Sequence, residues 1–80
     1  MTIMEMETMF KTRDLYLASF LKAKGLSLLD TRRENARVFF IFEDKEKAEG
    51  LKKEFFNGGV VSISLFTKAV QDLKSLIYSD

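Results

Sequence analysis

The 80-residue sequence predicts a single small α+β domain in which an antiparallel β-hairpin packs with three helices. Three observations predict it. Arg37 is followed by five consecutive apolar residues, Val38-Phe39-Phe40-Ile41-Phe42, a composition that favours a strand. A polar turn, Glu34-Asn35-Ala36, separates this run from an earlier extended stretch. Three further segments repeat apolar residues at helical spacing, and capping residues flank two of them at both ends.

Residues 1–9 read as a flexible tail or an edge strand. Met4-Glu5-Met6-Glu7 alternates as a strand does, and four methionines in the first nine residues offer alternative starts. Thr12 is the expected N-cap of a first helix over about 13–24, because its hydroxyl can accept from an unpaired amide of the first turn. Asp14 in that turn suits the positive end of the helix dipole. Tyr16, Leu17, Phe20, Leu21 and Ala23 form the apolar face, and Gly25 is a left-handed stop.

Leu26–Arg32 and Arg37–Glu43 are the hairpin strands, joined through Asn35, which tolerates left-handed geometry. Alternate side chains of a strand stand on opposite faces. Val38, Phe40 and Phe42 therefore share one face, and Phe39 and Ile41 the other. A chain this short covers one face of a small sheet comfortably. The second face is either covered by another element or open to a partner.

Asp44 caps a second helix over about 45–57, with Ala48, Leu51 and Phe55 as its inward stripe and Asn57-Gly58-Gly59 as its stop. Gly50 lies off that stripe and costs about 1 kcal/mol against Ala. In the last segment Val61, Ile63 and Leu65 alternate with Ser62 and Ser64, but Ile63, Phe66, Val70, Leu73 and Ile77 repeat at spacings 3, 4, 3, 4. The longer pattern predicts a helix over about 63–78 capped by Ser62, with a short strand at 60–64 as the alternative. Leu65, Ala69, Leu76 and Tyr78 widen its apolar arc, which suits a helix lying over the sheet or a homodimer seam. The order is (β)αββα(β)α. With both bracketed strands it becomes β-α-β-β-α-β, the ferredoxin-like arrangement.

Composition narrows the function classes. There is no Cys and no His, so disulfides, thiolate chemistry, Cys/His zinc sites and a His base are excluded. Ser and Thr thus have no His partner, and no Gly-rich phosphate loop is present. Glu43, Asp44, Glu46 and Glu49 are dense, but lysines interleave with them as on a solvated helix face, and Glu49–Lys53 has the i,i+4 order that supports such a face. No cofactor, metal or small-molecule substrate is expected. No stretch approaches the roughly 20 apolar residues of a membrane span. Glu5 and Glu7 stand where a secretory signal carries Lys or Arg, so the expected place is the cytoplasm. The net charge is +1, but residues 8–42 hold Lys11, Arg13, Lys22, Lys24, Arg32, Arg33 and Arg37 against only Asp14, Asp30 and Glu34.

Two resemblances follow. Phe39-Phe40-Ile41-Phe42-Glu43-Asp44, then Ala48, then Asn57-Gly58, resembles the third strand and second helix of an RNA-recognition motif. That resemblance implies Arg37, Phe39 and Ile41 as outer-face positions, where such domains stack bases on aromatics. This chain has Val38 where that family has glycine, Phe40 where it has a small residue, and Ile41 in place of the second aromatic. The other covers Phe10 to Tyr78. Phe10-x-Thr12-x-Asp14-Leu15-Tyr16-Leu17-Ala18, Ala23-Lys24-Gly25, Val38-x-Phe40-x-Phe42-Glu43-Asp44, Phe56-Asn57-Gly58 and Leu73-Lys74-Ser75-Leu76-Ile77-Tyr78 are similar to a family of small domains of unknown function from Gram-positive bacteria, their phages and mobile elements. It implies a stand-alone small domain and carries over no activity or catalytic residue.

The expected function is a non-catalytic binding module acting through protein contacts, with a second copy as one such partner. Its candidate contact face is Arg37, Phe39 and Ile41. The alternative is a nucleic-acid-binding accessory domain in which Arg32, Arg33 and Arg37 contact phosphates.

Overall fold

A computed structural model describes residues 8–78. Strand β1 spans Met9–Thr12, helix α1 Leu15–Ala23, strand β2 Leu28–Glu34, strand β3 Arg37–Glu43, helix α2 Lys45–Phe56 and helix α3 Ile63–Tyr78. The order βαββαα is an α+β fold with one three-stranded sheet, ordered β1-β3-β2 and antiparallel at both pairings. β1 and β2 therefore run parallel with β3 between them, the split β-α-β unit of the ferredoxin-like arrangement. Among the described residues the fourth strand is absent. Residues 60–62 are irregular, and a helix follows in place of the short strand considered at 60–64. The alternation at Met4–Glu7 lies outside the described residues.

Local chemistry explains each boundary. Thr12 is the last residue of β1 and cannot also cap the helix; its hydroxyl instead accepts from the Asp14 amide at 3.1 Å. Asp14 is the cap, accepting from Tyr16 and Leu17 at 3.0 and 3.1 Å, so α1 starts two residues later than Thr12 capping implied. Gly25 takes φ 99° at the other end. Leu26 is not yet strand: it is buried, and its amide bonds the Leu21 carbonyl at 3.0 Å to close the helix. The strand accordingly starts at Leu28 and ends at Glu34, two residues beyond each expected bound.

The hairpin turn is Asn35-Ala36, both left-handed at φ 51° and 68°, which is the geometry that matches strand twist in a two-residue loop. One irregularity interrupts the hairpin: Leu28 faces Phe42 and Asp30 faces Ile41, so Leu29 is an extra residue in a bulge. Asp44 caps α2 by accepting from the Lys47 amide at 3.1 Å. Ser62 caps α3, with the Leu65 amide 3.4 Å from its hydroxyl.

The core lies between one sheet face and the helices. Phe10 of β1, Phe40 and Phe42 of β3, Leu17, Ala18 and Leu21 of α1, Ala48 of α2 and Leu73 of α3 pack together with Leu26. Val38, Leu51, Phe55 and Ile77 pack against this cluster. α3 lies chiefly on α1 and reaches the core through Leu73 and Ile77. It thus stands on the Phe40 side of the sheet and does not cover Phe39 and Ile41. Its inward stripe also differs from the expected one: Ala69 is buried whereas Ile63, in the first turn, is 83% exposed. The first turn of α3 overhangs the core, so helical spacing continues past the end of the packing surface.

Candidate functional site

Register places the predicted site residues on two faces. Arg37, Phe39, Ile41 and Glu43 alternate with the core residues of β3 and so stand on the helix-free face. Their lateral neighbours there are Glu34 beside Arg37, Arg32 beside Phe39, Asp30 and Lys11 beside Ile41, and Met9 beside Glu43. Arg33 pairs with Val38 and belongs to the opposite, core side. Its Nη2 donates to the Ile77 carbonyl at 2.8 Å, fixing the last turn of α3 to the sheet and meeting the negative end of that helix. The structure therefore brings Arg32 and Arg37 together beside Phe39 and keeps Arg33 away from them.

The helix-free face is less open than its apolar residues suggest. Ile41 is only 7% exposed. Phe39 is half-buried beneath the Lys11 ammonium, 4.6 Å from its ring centroid, and Lys11 pairs with Glu34 at 3.3 Å. Among the described residues the remaining charges on this face are Arg32, Arg37, Asp30 and Glu43. With Lys11 and Glu34 included, three cations and three anions among the described residues share this face.

Part of the exposed apolar surface lies elsewhere, along a ledge formed by one side of α1, the end of α2 and the approach to α3; Leu29, Leu65, Leu76 and Tyr78 are exposed as well. Phe20 of α1 packs on Phe55 with ring centroids 5.4 Å apart, and Phe55 on Phe56 at 5.0 Å. Gly59 is wedged against Phe20: a Cβ there would lie 2.8 Å from the Phe20 ring and from the Glu54 carbonyl oxygen. The neighbouring Val60 is held by its carbonyl, which accepts from Lys24 Nζ at 2.9 Å. One turn before Phe20, Tyr16 stacks on Phe66 at 6.4 Å, and Ile63 precedes Phe66 by one helical turn. Phe56, Val60 and Ile63 are 64%, 78% and 83% exposed, and Tyr16 is also exposed. Helical spacing alone puts Ile63 and Phe66 in one inward stripe. The signal that points to the ledge is the run Phe55-Phe56 before Asn57-Gly58-Gly59-Val60-Val61, more apolar side chains than one short connection can bury.

A depression of about 590 Å³ opens between the end of α1 and α3, lined by Lys22, Leu26, Ser27, Asp72, Ser75 and Leu76 among others. Its carboxylate already faces Lys68 at 3.8 Å. The acidic residues at 43–49 do not converge: Asp44 is used as a cap and Glu43, Glu46 and Glu49 are exposed. Among the described residues no three acids, His or Cys gather around a common point, and no helix is long and apolar enough to cross a membrane.

A family model described as "Domain of unknown function (DUF5659)" matches residues 7–79. The chain belongs to this family. The match spans β1 to the end of α3, so the DUF5659 unit comprises both the three-stranded sheet and the ledge. No curated protein and no solved structure matches the chain.

Proposed function

We propose that this DUF5659 domain is a non-catalytic binding module that works through protein contacts. The observation that carries the reading is the ledge of Tyr16, Phe56, Val60 and Ile63. These are large apolar side chains left in solvent on a chain whose core is otherwise well covered. Contiguous exposed apolar side chains rimmed by polar groups mark contact sites, and aromatic anchors dominate such contacts energetically. Lys24, Glu54, Ser62 and Ser64 supply the polar rim. A photo-crosslinking residue at Val60 tests this in the native host. Adducts that survive nuclease, disappear with protease and are lost on Ile63→Asp are expected. An adduct pattern abolished by nuclease, or unaffected by Ile63→Asp in a chain that still folds by circular dichroism, overturns the reading.

A second reading is a nucleic-acid accessory domain of a bacterial phage or mobile element in the cytoplasm. It is favoured by one observation, the exposed Arg32 and Arg37 beside Phe39, neither with an acidic partner among the described residues. Titration with single- and double-stranded oligonucleotides at two salt concentrations tests it. This reading requires Arg32→Ala and Arg37→Ala to weaken binding and flatten its salt dependence. Arg33→Ala should act on stability instead, because its guanidinium is engaged with α3.

A further inference from the structure

We infer that the helix-free face of the sheet pairs with the same face of a second copy, about a two-fold axis crossing the strands at the level of Phe40. This goes beyond the ledge reading and stands independently of it. The outward residues of β3 run Arg37, Phe39, Ile41, Glu43: cation, aromatic, aliphatic, anion. A two-fold axis lying between two such faces and perpendicular to the strands reverses this row. It sets Arg37 against Glu43 of the second copy; the row of Phe39, which lies beneath Lys11, comes opposite the row of Ile41, which is buried, so exposed charges and not this apolar pair make the contact. The same operation lays β2 over β2. Arg32 is in the row of Phe39 and Asp30 in the row of Ile41, so Arg32 then faces Asp30 of the second copy. Two strands thus give the same answer from independent residues. An axis parallel to the strands fails, because it sets Arg37 on Arg37 and Glu43 on Glu43. The self-complementary arrangement is the isologous one that closed dimers require.

The charges needed are available. Among the described residues Arg32, Arg37 and Glu43 make no side-chain ion pair, and Asp30 only accepts from the Thr31 amide at 2.8 Å. The two charges that would interrupt the pattern, Lys11 and Glu34, neutralise each other. Size sets the strength. The seven residues from Arg37 to Glu43 span about 20 Å, and three strands about 4.8 Å apart make a narrow face. That is small beside the roughly 800 Å² per partner of a stable interface. Exposed ion pairs add little each and are screened by salt. The association is therefore weak, driven by charge, and formed at high local concentration.

The test uses the full chain in amide-resolved NMR dilution from about 1 mM to about 0.05 mM at low salt, the range in which weak association is read. Wild type should show concentration-dependent shifts on alternate residues of β3 and β2, suppressed in high salt. Arg37→Glu alone and Glu43→Arg alone should each weaken association about tenfold or more, the equivalent of about 1.4 kcal/mol. A one-to-one mixture of these two variants should recover it, because each then supplies the charge the other lacks. Asp30→Arg mixed with Arg32→Asp provides the same test on β2. The proposal is overturned if wild type shows no concentration dependence, if single reversals associate as wild type does, or if mixing recovers nothing. Loss of association on Ile63→Asp would assign self-association to the ledge, overturning this proposal while leaving the protein-contact reading intact. Failure of the Val60 crosslink with a successful mixing experiment would do the reverse.

Discussion

Lys11 and Glu34 stand on opposite edge strands of the sheet and meet at 3.3 Å across the central strand, with the Lys11 ammonium 4.6 Å from the centre of the Phe39 ring. This strap, and no helix among the described residues, shelters Phe39. It joins an aliphatic stem, a cation–π contact and an ion pair in one side chain. All three are weak where both partners remain partly exposed.

The strap should therefore act by coverage more than by charge. Lys11→Met keeps the stem and loses the charge, and its stability in urea should fall by less than about 1 kcal/mol. Lys11→Ala uncovers the ring and should cost more. A double-mutant cycle between Lys11 and Glu34 should give a coupling under about 1 kcal/mol that shrinks in high salt. A salt-independent coupling of several kcal/mol would contradict this account.

The turn carries a residue that resists its own geometry. Ala36 sits at φ 68°, where a Cβ crowds the following carbonyl at about 1–2 kcal/mol. Asn35 tolerates the same region, and Asn-Gly is the pair favoured in such turns. Ala36→Gly should raise stability by about 1 kcal/mol and the melting temperature by about 4–8 °C in a chain of this size. An unchanged or lower melting temperature would mean that the turn relaxes away from left-handed geometry in solution.

Sequence periodicity carries the fold a long way here, and particular residues show where it stops. The run Val38–Phe42 gives β3 with its true ends, and the spacing from Ile63 to Ile77 gives α3 and its Ser62 cap. Both are local signals. Thr12 and Asp14 are distinguishable as caps only once Thr12 is known to belong to β1, a pairing set by Phe40 nearly thirty residues later. Which face of β3 is covered is not encoded in its alternation, since both faces are apolar. Helix–helix packing decides it by drawing Leu73 and Ile77 to the Phe40 side. The engagement of Arg33 with Ile77 and of Lys11 with Glu34, 44 and 23 residues apart, separates the arginines and closes over Phe39. No short-range pattern announces such contacts. The ledge is illegible for the complementary reason, because helical spacing cannot tell where a helix outruns its partner.

Gly50 and Gly59 should respond oppositely to the same added methyl group. Gly50 lies in the middle of α2, where a Cβ would meet nothing within 4 Å, so Ala there removes backbone freedom from the unfolded chain at no steric cost. Gly50→Ala should stabilise by about 0.5–1 kcal/mol. At Gly59 a Cβ would meet the Glu54 carbonyl oxygen and the Phe20 ring, each at 2.8 Å, and one contact is rigid backbone. Gly59→Ala should destabilise by about 1–3 kcal/mol, the range for overpacking, and should shift the ledge resonances of Phe55 and Phe56. Equal denaturation midpoints for the two variants would refute the wedge at Gly59.

Phe39 and Phe40 are adjacent in sequence and should differ sharply in worth. Phe40 is 1% exposed at the centre of the core, whereas Phe39 lies on the other face under a single lysine. Phe40→Ala should cost about 3–5 kcal/mol, combining lost burial with the cavity left behind. A domain of this size has a total stability of about 4–12 kcal/mol, so that variant should be close to unfolding at ordinary temperature. Phe39→Ala leaves no enclosed cavity and should cost about 1 kcal/mol. Chemical denaturation of the two variants side by side reads the parity of β3 directly. Similar losses would mean that Phe39 beneath Lys11 is as well packed as the core.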